Sequence, residues 1–138
     1  MVWFKAFLSG FLATLIFHQG LFAVFYYAGV VPHAPYNMSP VAPLGVPSVI
    51  SLAFFGGLWG MVLWPVLARL GKAGFWLMAV VLGAIGPTAV AMLVVFPLKD
   101  IAVSGQTWIG GLILNGVWGL GVAVFLILMG ARRPVNSL

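Results

Sequence analysis

The sequence predicts an all-α membrane protein with four transmembrane helices in an antiparallel bundle, and three observations lead there. Of 138 residues, 64% are hydrophobic and 5% charged, with a mean hydropathy of +1.22. A soluble domain keeps roughly a quarter of its residues charged. Four apolar runs, Trp3–Val31, Pro47–Leu67, Phe75–Phe96 and Trp108–Met129, each exceed the roughly 20 residues that cross hydrocarbon as a helix. The charges fall in the breaks between those runs, and mostly on one side.

The first run holds Lys5 near its start and one polar pair, His18-Gln19, deep inside it. A cleavable leader has an apolar region of about 7–15 residues, so the uninterrupted length to Val31 marks a retained span. Val31–Pro47 follows, with Pro32, Pro35, Pro40, Pro43 and Pro47 forbidding helix and favouring extended or turn geometry. The second run ends at Arg69-Leu70-Gly71-Lys72, a tight basic turn into the third. Gly86-Pro87-Thr88 interrupts the third run, where proline removes a helical hydrogen bond and predicts a kink. Pro97–Gln106 carries Lys99 and the only acid, Asp100, and a short basic tail, Ala131–Leu138, closes the chain. The whole chain reads as one integral membrane domain.

With four alternating helices, Lys5, Arg69, Lys72, Arg132 and Arg133 share one side, while the other holds His33 and the self-cancelling Lys99/Asp100. The positive-inside rule then makes both termini cytoplasmic. Trp3, Trp64 and Trp76 ring that interface, and Tyr26, Tyr27 and Trp108 ring the opposite one. The net charge of +5 is spread over several connections and forms no basic patch for nucleic acid; it suits the anionic lipid surface. Without cysteine there is no disulfide, thiolate nucleophile or Cys-ligated metal.

Pro47-Ser48-Val49-Ile50 and Gln106-Thr107-Trp108-Ile109 open the second and fourth runs. At the same offset, Gly56-Gly57-Leu58-Trp59-Gly60 matches Asn115-Gly116-Val117-Trp118-Gly119. Two helical hairpins related by duplication, in the same orientation, are expected from this echo.

Helices in lipid associate where small residues let backbones approach. Gly111, Asn115, Gly119 and Ala123 form such a face on the fourth helix, Gly56 and Gly60 on the second, and Gly10, Thr14 and His18 on the first. Counting 1.5 Å per residue from Tyr26 and Trp108 puts His18 and Asn115 at one depth. They are expected to meet in the interior, with Thr14 facing Gly119 and Gly10 near Ala123. His18, Gln19, Thr14 and Asn115 are thus the candidate polar core.

For His18, an interhelical hydrogen bond competes with a proton or ion pathway and with a haem or quinone site. No carboxylate lies in any span to support a relay, and bis-His haem ligation lacks a second histidine at that depth, since His33 is in the loop. Asp100 has no second carboxylate for paired-acid catalysis, and no nucleophile elbow, P-loop, dinucleotide fingerprint or metal-ligand spacing is present. No enzyme activity and no cofactor is therefore expected. His33, Tyr36 and Asn37 in the stiff loop form a candidate docking edge.

Phe17-His18-Gln19-Gly20, Ala34-Pro35-Tyr36-Asn37-Met38 and Gly45-Val46-Pro47 with Phe55-Gly56-Gly57-Leu58-Trp59-Gly60 resemble small uncharacterised four-span proteins of bacterial inner membranes. The resemblance lies mainly in the first half and implies a bacterial inner-membrane location, without activity or site residues. The membrane-embedded glutamate of small multidrug transporters is missing. The reading that results is a non-enzymatic accessory or assembly subunit, packing against other membrane subunits or itself. A small transporter or channel with a site near His18 is the alternative.

Overall fold

In a computed structural model that describes residues 1–132, four helices have the length and apolar composition to cross a membrane. They are α1 (Val2–Tyr27), α2 (Ser48–Leu67), α3 (Lys72–Leu98) and α4 (Gly105–Leu128), which make an all-α antiparallel bundle. Arg133 and the rest of the expected basic tail lie outside the described residues.

The helix ends are chemically closed, as they must be where water is scarce. α1 stops at Tyr27, earlier than the expected Val31, because Gly29 enters the left-handed region at φ 77°. The N–H groups of Gly29 and Val30 then turn back to the carbonyls of Tyr26 and Phe25 at 3.0 and 2.8 Å. α4 ends the same way at Gly130. α3 ends with Asp100 at φ 55° in the position glycine usually takes, so the sole acid terminates a helix. α4 starts at Gly105, ahead of the expected Trp108, because Ser104 and Thr107 form a reciprocal capping box. α2 ends differently: Arg132 donates to the carbonyls of Leu67 at 3.3 Å and Leu70 at 2.6 Å, and its guanidinium stacks 4.1 Å over Phe75. One arginine beyond α4 thereby clamps the α2–α3 turn.

The closest packing is within two hairpins, α1–α2 and α3–α4. α1 and α4 join them along the middle of the bundle, and α2 and α3 touch less, despite their short connecting turn. Trp118, Val122, Leu126, Leu63, Leu67 and Phe75 fill the core, walled by Ala6, Ala13, Ala79 and Ala123. α3 continues as a helix through Pro87 and relaxes one turn later into a π-turn, Ala91–Val95. A matching π-turn, Thr14–His18, lies in α1.

At 20 residues α2 is the shortest helix. Gly56 sits beside Gly10 and Thr14, so Ser48, eight residues further, is about 12 Å nearer the loop end. That is roughly the level of Gln19, well short of the end of α1. Residues 32–47 occupy the step above α2, and within them Pro40–Val41 and Val46–Pro47 pair as a two-residue antiparallel ladder.

Candidate functional site

The expected small-residue faces are real, but they meet other partners. A Cβ added at Gly10 would fall 2.8 Å from the carbonyl carbon of Gly56, and closer still to its oxygen. At Gly60 it would strike the Ala6 carbonyl and come within 3.1 Å of the Gly10 nitrogen. The α1 face of Ala6, Gly10 and Thr14 therefore lies against α2, where α4 was expected. In the second hairpin, a Cβ at Gly83 would be 2.8 Å from Gly119 Cα, and one at Gly119 would be 2.9 Å from the carbonyl carbon of Ala79. Gly111 packs against Thr88 and Met92. The α4 face of Gly111, Asn115 and Gly119 thus lies on α3, where Ala79 and Gly83 offer the matching surface. Those two residues were missed because they stand among larger apolar side chains; their spacing of four was the available signal.

The two crossings are the same arrangement used twice. A shift of 59 residues carries Gly56 and Gly60 to Asn115 and Gly119, and one of 73 carries Ala6 and Gly10 to Ala79 and Gly83. The tryptophans of the sequence echo follow suit, crossing between hairpins. Trp118 of α4 donates its indole N–H to the Gly10 carbonyl of α1 at 3.1 Å, and Trp59 of α2 lies against Gly86 of α3. The Gly10 carbonyl also accepts the Thr14 hydroxyl at 3.0 Å. Gly10 is therefore where α1, α2 and α4 converge.

Asn115 and His18 do not hydrogen-bond to each other. Gly121 packs on Ala13 and Phe17, so Asn115, six residues on, is about level with Gln19, as the depth count expects. Its side chain is nevertheless turned to α3, where Nδ2 donates to the buried Thr88 hydroxyl at 2.9 Å. The α1–α4 contact is made instead by Trp118, Gly121 and the edge-on pair Phe17–Phe125.

His18 joins a different chain of groups. Its Nδ1 is 3.2 Å from Nε2 of Gln19, a side chain 6% exposed. Gln19 Oε1 accepts the backbone N–H of Tyr36 at 2.8 Å. The Tyr36 hydroxyl donates to the Leu15 carbonyl at 2.7 Å. The π-turn prepares this contact, because the Gln19 N–H reaches Thr14, five residues back, and leaves the Leu15 carbonyl to the tyrosine. Tyr36 sits at φ 54°, uncommon for a bulky residue, and is held at both its N–H and its hydroxyl.

The loop is accordingly fastened to the bundle along part of its length. Tyr36 lies along α1, and the carbonyls of Asn37 and Ser39 accept the N–H groups of Val49 and Ser48, closing the start of α2 at 2.9 Å each. Asn37 Oδ1 also receives the Ser39 N–H at 2.8 Å. His33 is exposed. Among the described residues, no three His, Cys, Asp or Glu side chains gather into a group that holds a metal. An open apolar groove between α3 and α4, lined by Val80, Ala84, Leu112, Gly116 and Leu120, carries no polar chemistry of its own.

Compared with protein families, with curated proteins and with solved structures, the chain finds no match.

Proposed function

We propose that this protein is a non-enzymatic accessory or assembly subunit of a bacterial inner membrane, with both termini cytoplasmic, packing against larger membrane subunits or a second copy. One observation carries the reading: the buried polar side chains of the spans, Ser9, Thr14, Gln19 and Thr88, are already engaged in building the bundle, as is Asn115. Ser9 donates to the Lys5 carbonyl, Thr14 to Gly10, Gln19 bridges His18 and Tyr36, and Asn115 binds Thr88. Among the described residues, no fully buried side-chain nitrogen or oxygen lacks a partner. Most small faces are also consumed internally, but Gly20 of α1 and Gly110 of α4 have nothing packed on them and leave room for another helix. The cytoplasmic placement of the termini rests on Lys5, Arg69, Lys72 and Arg132 at one end of the bundle.

The repeated glycine crossing favours one second reading, a small carrier built from two like hairpins. Purification from native membranes in mild detergent, with identification of co-purifying proteins, separates the two. Stoichiometric recovery with a larger complex is the expected result. A lone homo-oligomer whose reconstituted flux disappears in His18→Ala would overturn it.

A further inference from the structure

Independently of the subunit reading, we infer that His18 anchors a binding site for an uncharged carbonyl oxygen of an amphiphile dissolved in the membrane. The hydrogen-bond chain fixes which ring nitrogen carries the proton. The Tyr36 backbone N–H can only donate, so the Gln19 atom 2.8 Å away is its carbonyl oxygen. The other end of that carboxamide, an NH2 that can only donate, faces His18 Nδ1 at 3.2 Å. Nδ1 must accept, and the ring proton sits on Nε2.

That Nε2–H has no hydrogen-bond partner among the described residues, while no fully buried side-chain nitrogen is left without one. The ring is half-buried, and because no fully buried nitrogen is left unpaired, Nε2 itself keeps some open surface. His18 lies nine residues, about 13 Å, short of the end of α1, and close to the level at which α2 begins, at the foot of the step that residues 32–47 occupy.

The chain cannot supply that acceptor from a carboxylate, since Asp100 is its only acid and caps α3. An ionised ligand is disfavoured at this depth, and a single donor matches a single neutral oxygen. Backbone carbonyls of a partner helix point along its axis and are already bonded, so they suit a half-buried donor poorly. A carbonyl projecting from a lipid ester or from a quinone ring reaches it without that conflict. Tyr36, fastened along Leu15 to Gln19, forms one wall.

The test uses the full chain with His33→Gln, leaving His18 as the only imidazole, labelled with 15N-histidine. It is placed in nanodiscs of ether-linked phospholipid, of ester-linked phospholipid, and of ether-linked phospholipid with an added benzoquinone. The expected spectrum shows an unprotonated Nδ1 and a protonated Nε2 throughout. The Nε2–H resonance moves downfield with ester lipid if the source is a lipid carbonyl, and with the quinone if it is a quinone. In Gln19→Leu the single tautomer and the shift are lost. A protonated Nδ1 in the His33→Gln protein, or an Nε2–H resonance identical in all three discs, overturns the site whether or not Gln19→Leu folds.

Discussion

A single methyl group at Gly10 separates the two helices of the first hairpin. In Gly10→Ala the new Cβ starts 2.8 Å from the Gly56 carbonyl carbon, whereas ordinary contact begins at 3.4 Å. The helices must part by at least the difference, 0.6 Å, and the neighbouring contact between Gly60 and the Ala6 carbonyl loosens with them. Overpacking of this kind costs about 1–3 kcal/mol. The Gly10 carbonyl is displaced from the Trp118 indole at the same time, which forfeits a further ~1 kcal/mol. The expected loss is about 2–4 kcal/mol in total. Gly20→Ala is the control, because nothing lies within 4 Å of that position. There the substitution should be neutral or stabilise by about 0.5–1 kcal/mol through helix propensity. Denaturant titration in mixed micelles, following tryptophan fluorescence, reads both variants. Equal stability of Gly10→Ala and Gly20→Ala would refute the packing argument.

Other consequences are equally direct. Tyr36→Phe deletes the hydroxyl bond to Leu15 and should raise amide exchange at residues 36–39 and at Val49, leaving α3 and α4 unchanged; unchanged exchange in the loop would show that the tyrosine does not fasten it. For topology, single cysteines replacing Asn37 and Ser137 should be labelled by an impermeant thiol reagent in intact cells at position 37 alone. Labelling at 137 alone would invert the orientation.

Four spans were legible because length and hydropathy mark a helix able to cross a bilayer, and Trp3–Val31 is long enough for one even though its helix stops at Tyr27. Their ends were less legible. Gly29 and Gly130 are recognisable stops, but Asp100 in the left-handed region and the Ser104–Thr107 cap depend on local geometry that hydropathy does not register. The depth of Asn115 followed from counting residues; its partner did not. A face of small residues specifies close approach and says nothing of which neighbour approaches, so Gly119 met Gly83 instead of Thr14. How the loop is fastened was hidden for a related reason. Five prolines announce stiffness, whereas its docking onto α1 rests on one tyrosine and a π-turn, neither of which has a periodic signature.

The central claim is that polar side chains within the spans hold this bundle together, and the Thr88–Asn115 pair tests it most directly. A double-mutant cycle of Thr88→Val and Asn115→Leu, read as unfolding free energy in mixed micelles, isolates their interaction. The structure predicts a favourable coupling of about 0.6 kcal/mol, the average for such bonds in membrane bundles, and no more than ~1.7 kcal/mol. A coupling indistinguishable from zero, with both single variants folded, would contradict it.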